Sequence, residues 1–124
     1  MSLVSPKCRD QIVARVLVAR QRRAESLLRM KELQQQGYLA ACKVAAGLKR
    51  EFGAQRVVLF GSMLNHEYMT DHSDIDLAVW GIKTEDYLRA GIAAEQGHHF
   101  PIDLIDAELA PSYIRDAINQ GIEL

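Results

Sequence analysis

The sequence predicts an α+β domain: a small mixed β-sheet flanked by helices, with a long helix at the N-terminus. Three observations carry that expectation. Apolar residues recur at helical spacing through most of the first 52 positions. Three short runs, 56–60, 75–80 and 100–106, have the length and apolar content of strands. Helical patterns follow the second and third of these runs, so helices pack on a sheet.

Residues 7–36 read as the first helix. Ile12, Val13, Val16, Leu17, Ala24, Leu27, Leu28 and Met30 recur at helical spacing, with Arg15, Arg20, Arg22, Arg23 and Arg29 among them. Unbroken, it would be about 45 Å long, against roughly 35 Å for the width of a domain of this size. It must therefore break, project or meet a partner. Gln34-Gln35-Gln36-Gly37 is the expected interruption, since glycine is a stop signal.

A second helix is expected over 38–52, with Ala41, Val44, Ala45, Leu48 and Phe52 on one stripe and Gly53 as its C-terminal cap. Arg56-Val57-Val58-Leu59-Phe60 reads as a strand buried on both faces. Residues 61–73 are polar and turn-like, and 75–80 form the next strand. Thr84 is the expected N-cap of a helix running to about Gln96, with Glu85 and Asp86 in its first turn. Residues 100–106 form a third strand with Pro101 near its start. A last helix begins at Pro111 and stops at Gly121.

With 124 residues, 48% apolar and 25% charged, the composition suits one globular domain. No apolar run approaches the roughly 20 residues of a membrane-spanning helix. The first ten residues lack a secretory-signal pattern. Cys8 and Cys42 match neither a zinc spacing nor a disulfide framework and are expected to be reduced thiols, so a cytoplasmic location is expected.

The net charge of −1 conceals a strong asymmetry. Residues 1–50 hold 11 Lys and Arg against three acids, a balance of +8; residues 51–124 hold four against 13, a balance of −9. An asymmetry of this size points to an interaction surface, or to two halves that neutralise each other on folding.

The chemistry concentrates in Phe60-Gly61-Ser62, then Asp74-Ile75-Asp76-Leu77, then Asp103. Side chains alternate along a strand, so Asp74 and Asp76 share one face while Ile75, Leu77 and Val79 share the other. Paired carboxylates repel unless a cation joins them. Mg²⁺ takes hard oxygen ligands, one or two carboxylates together with phosphates and water. Gly61 allows a tight turn with close backbone approach, and Ser62 offers a hydroxyl to phosphate. A phosphate cradle facing carboxylates suits metal-assisted phosphoryl or nucleotidyl transfer. Asp103 is a charge on an otherwise apolar strand, fitted to complete a metal site or to act as general base. Asp106, in parity with the core residues at the strand end, reads as turn chemistry.

His66 and His72 lie in the loop before Asp74 and read as solvated; His98 and His99 read as turn surface. Trp80 shares the parity of the acids and reads as packing.

Gly61-Ser62, Asp74-Ile75-Asp76-Leu77-Ala78-Val79 and Asp103 together resemble the polymerase-β-like nucleotidyltransferase superfamily, and within it the minimal nucleotidyltransferases that pair with HEPN-type toxins. The likeness covers roughly residues 40–124, so the chain divides into a basic helical extension, 1–36, and a nucleotidyltransferase domain, 37–124. It implies that Asp74, Asp76 and Asp103 hold two Mg²⁺ ions, that Gly61 and Ser62 hold the phosphates of ATP or another NTP, and that Asp103 activates the acceptor. It further implies transfer of AMP to a hydroxyl of a partner protein, as the antitoxin of a toxin–antitoxin pair. One departure stands out: where the family commonly carries a basic residue after Gly-Ser, this chain has Met63-Leu64-Asn65-His66, with no Arg or Lys before Asp74. An arginine from elsewhere, Arg56 or one on the N-terminal helix, would then grip the triphosphate. Self-association through the N-terminal helix is a further expectation.

Two rival readings stand beside this one. A catalytically inactive module of the same fold would neutralise a basic partner by contact. A nucleic-acid-binding protein would use the +8 half, but aromatic residues are not interleaved with its arginines, so nucleic acid is the least expected partner.

Overall fold

The computed structural model describes residues 5–124; the first four residues of the expected extension lie outside them. Helix α1, Pro6–Phe52, is a single helix of 47 residues, about 70 Å long. Ser5 caps its start, the hydroxyl accepting from the Cys8 amide at 3.2 Å, and Pro6 fills the first turn where no N–H is needed. It ends at Gly53, whose φ of 73° lets its amide bond to the Leu48 carbonyl.

The expected interruption at Gln34–Gly37 does not occur, and the two expected helices are one. Glycine stops a helix by taking a left-handed conformation, and Gly37 stays helical. It is buried, and a Cβ there would come within 2.7 Å of the Met63 Cε. Gly37 is thus a close-packing residue, where a larger one would hold the chain off the helix.

Strand β1, Arg56–Phe60, pairs antiparallel with β2, Ile75–Trp80, and β2 pairs parallel with β3, Ile102–Asp106. A two-residue strand β4, Ile122–Glu123, joins the free edge of β1, giving the order β3-β2-β1-β4. Between β1 and β2 the chain makes two 3₁₀ turns, Gly61–Leu64 and His66–Tyr68. Helix α2, Tyr87–Ala94, leads into β3, and α3, Ser112–Asn119, leads into β4.

Alternation along the strands divides the core in two. Val57, Leu59, Ile75, Leu77 and Val79 pack against Ala41, Val44, Ala45 and Leu48 of α1 and Ala90 and Ala94 of α2. Val58, Phe60 and Ala78 pack on the other face against Ile118 of α3 with Ala107 and Ala110. The sheet is therefore covered on both sides, and β1 is buried on both faces as its composition predicts.

Three smaller differences have local causes. Thr84 is no side-chain cap: a 3₁₀ turn, Thr84–Asp86, precedes α2. The third strand starts at Ile102, because the Phe100 amide is taken by the His98 ring at 3.0 Å. Strand β4 is too short to show any periodicity. No helix among the described residues is long and apolar enough to cross a membrane.

Candidate functional site

Asp76 is the second residue of β2 and points to the α3 side of the sheet, where Phe60 is its partner on β1 and Asp103 its partner on β3. The parallel register thus sets two carboxylates side by side on one face, as the parity of each strand predicts. Asp74 lies just before β2 and is exposed, as is Asp103, while Asp76 is half-buried. Burial, then the charge of Asp103, then that of Asp74 push the Asp76 carboxyl up from its ordinary 3.8 to about 6. Both of the other acids named from the sequence therefore act on Asp76. Among the described residues, however, no three His, Cys, Asp or Glu side chains are gathered closely enough to form a ready three-ligand metal cage.

Gly61 follows β1 with φ of 82°, and a Cβ there would collide with the Asp76 carboxylate, lying 3.3 Å from its Cγ. Only glycine lets the backbone of this turn sit directly over Asp76. Ser62 stands next in the same turn, half-buried.

The turn is held from behind by α1. Met63 is fully buried against Gly37, and the Gln34 Nε2 donates to the Met63 carbonyl at 3.1 Å. The glutamine-rich run read as a helix break is in fact the brace of the Gly61-Ser62 turn. The loop before Asp74 is closed by Thr70 and Ser73, the Thr70 amide bonding to the Ser73 hydroxyl at 2.8 Å. Asp71 on that loop pairs with Arg29 of α1 at 3.4 Å, both side chains more than half exposed. Helix α1 also places Lys31 in a hollow of about 200 Å³ with Gln34, Tyr38, Met63 and Leu64. Sequence reasoning missed Gln34, Gly37 and Asp71, and no short-range signal ties helix positions to a turn some 30 residues away.

Arg56 does not reach the site. It opens β1 at the end opposite Asp76, pairs with Glu123 at 2.9 Å and stacks on the Trp80 ring at 4.2 Å. That contact also fixes Trp80 as packing. Asp106 accepts from the Glu108 amide at 3.0 Å, in keeping with turn chemistry; burial, then the charges of Asp106 and Glu108, push the Tyr87 hydroxyl up to about 12. His98 bonds the Ala94 carbonyl at 2.6 Å and accepts from the Phe100 amide, closing the end of α2. His72 is exposed and His66 half-buried. A cavity of about 610 Å³ lies on the other side of the sheet, between α1 and the α2–β3 connection, away from the carboxylates.

A glycine turn over a carboxylate pair can present backbone and hydroxyl groups to a phosphate while the acids face the same space. The family model described as Polymerase beta, Nucleotidyltransferase matches residues 43–124, the span that contains every one of the acids and the Gly61-Ser62 turn. No curated protein and no solved structure matches the chain.

Proposed function

Since the chain belongs to the polymerase beta nucleotidyltransferase family, we propose that it transfers AMP from ATP to a hydroxyl of a partner protein, as the antitoxin of a toxin–antitoxin pair with a HEPN-type partner. The observation that carries the transfer chemistry is the register of Asp76 beside Asp103 under the Gly61 turn. The donor set fits Mg²⁺: hard carboxylate oxygens, one of them half-buried and facing two further negative charges. Asp74, Asp76 and Asp103 would hold two ions, which when bound supply neutralisation of the triphosphate and of the leaving pyrophosphate.

The chain's own residues then have separate tasks. Gly61 and Ser62 hold the donor phosphates against the turn. Asp103, exposed at the outer strand, takes the proton of the acceptor hydroxyl as its oxygen bonds to the α-phosphorus. The bond from that phosphorus to the bridging oxygen breaks, and pyrophosphate leaves. Arg29 is the cation of α1 that meets the loop before Asp74, where it pairs with Asp71.

The test is incubation with labelled ATP and Mg²⁺, with and without the product of the neighbouring gene. Label is expected on that protein and absent with Asp76→Asn or Asp103→Asn; transfer at the wild-type rate by either variant overturns the assignment. A second reading, a non-catalytic module that binds its partner by contact, draws on the missing basic residue after Ser62 and the loose grouping of the acids. Its signature would be a tight complex in which no label moves.

A further inference from the structure

Residues 6–29 of α1 form an arm that the rest of the chain leaves uncovered. Every residue from Pro6 to Arg29 is exposed, among them Ile12, Val13, Val16, Leu17, Leu27 and Leu28. At 1.5 Å per residue the arm is about 36 Å long, and a lone helix with this much bare apolar surface is marginal in water. Its contact with the body is the Arg29–Asp71 pair at its base.

What covers it is indicated by charge. The arm carries seven Lys and Arg against Asp10 and Glu25, a balance of +5. Arg9, Val13, Val16 and Arg20 follow one another at spacings of four, three and four, and so share one face. The complementary row is on the body. Glu85 in the 3₁₀ turn, Leu88 and Ile92 on α2, and Glu95 at its C-terminal cap follow at spacings of three, four and three, with Glu95 also accepting from the Ile102 amide at 3.5 Å. Leu88 is 77% and Ile92 58% exposed, and both line a hollow of about 480 Å³ at the outer edge of β3. Each row thus has two apolar side chains between two like charges, and the charged ends are about 15–17 Å apart on both. Arg89 flanks the α2 row but is tied to Asp86.

We propose that the arm seats on a second copy of this chain, with Val13 and Val16 against Leu88 and Ile92, and Arg9 and Arg20 against Glu85 and Glu95. The same copy does not supply the acidic row, since α1 is continuous and residues 9–20 are all exposed along it. Each of two arms covering the other copy's α2 gives an isologous dimer. A strip one helix wide over the roughly 16 Å of each matched row totals on the order of 650 Å² over both arms and both faces, the size of a weak, transient interface.

The test is sedimentation equilibrium of the full chain at low and high salt, with circular dichroism to check that each variant keeps its helices. The wild type is expected to dimerise and to dissociate with rising salt. Arg9→Glu with Arg20→Glu, and separately Glu85→Arg with Glu95→Arg, should each weaken the dimer about tenfold or more. Mixing the two charge-reversed chains should restore a heterodimer, a result that general loss of structure would not give. A wild type monomeric at every concentration overturns the proposal. So does a dimer indifferent to both sets of changes, or a monomer whose arm binds RNA.

Discussion

Asp76→Asn should make the metal-free protein more stable at neutral pH. The Asp76 carboxyl stands at about 6 in the folded chain against an ordinary 3.8, chiefly through burial and through Asp103 and Asp74. Between those two values the folded state holds a proton that the unfolded state has released. Stability contributed by protonated Asp76 is therefore present below about pH 4 and is lost as pH rises through about 6. A difference of that size corresponds to about 3 kcal/mol; the half-exposed position lets solvent screen it to about 1–2 kcal/mol. Asparagine keeps the shape and cannot ionise, so the variant escapes the loss.

The assay is urea unfolding of wild type and variant, followed by circular dichroism in the presence of a chelator, at about pH 7 and about pH 4. The variant should gain about 1–2 kcal/mol at the higher pH, or about 3–8 °C in Tm, with the gap closing at the lower. Adding Mg²⁺ should raise the wild type alone and narrow the gap, because only the carboxylate gains from the cation. An equal gap at both pH values, or a variant less stable at both, would refute the reasoning: Asp76 would then be held by favourable partners.

The remaining predictions concern how the site is built. Gly61→Ala should cost about 1–3 kcal/mol, since it puts a Cβ both at positive φ and against Asp76, and should abolish nucleotide binding in titration calorimetry. Gly37→Ala should cost about 1–2 kcal/mol through Met63, whose flexible side chain absorbs part of the overlap. Gln34→Ala should cost about 1 kcal/mol and speed amide exchange across residues 61–64, the turn whose Met63 carbonyl it holds. Arg56→Ala should lower stability through lost contacts to Trp80 and Glu123 but leave nucleotide affinity unchanged; a fall in affinity would place Arg56 in the site after all.

Much of the site was legible because strand parity is local. Period two assigns Asp74 and Asp76 to one face, and the same rule assigns Asp103 to the face opposite Ile102 and Leu104. Which residue of β3 lies beside Asp76 depends on register, and that is set by long-range pairing such as the Ile75 amide bonding to the Pro101 carbonyl at 2.9 Å. The continuity of α1 was not legible for a different reason. A glycine after three glutamines carries the local signal of a stop, yet here its lack of a side chain serves contact with Met63, a residue 26 positions on. Arg56 misled in the opposite way: it sits close to Gly61 in sequence, but five residues of extended strand carry it to the far end of β1.

The unbroken helix changes what the charge asymmetry means. Had α1 broken at Gly37, its basic half could have folded back and neutralised the acidic body within one molecule. A continuous helix does not fold back, so Arg29 meets Asp71 and, among the described residues, the arginines before it stay exposed. The body's excess of acid then has two parts with different needs. Asp74 and Asp103 both bear on Asp76 at one end of the sheet, a repulsion that a divalent cation would relieve. Glu85, in the turn before α2, and Glu95, at the cap that ends it, flank exposed apolar side chains of α2, which packs on the opposite face. The proposed metal binding and the proposed association would therefore draw on separate carboxylates. Charge reversal on α2 should leave the stability gain of Asp76→Asn untouched, and the two effects should add when combined.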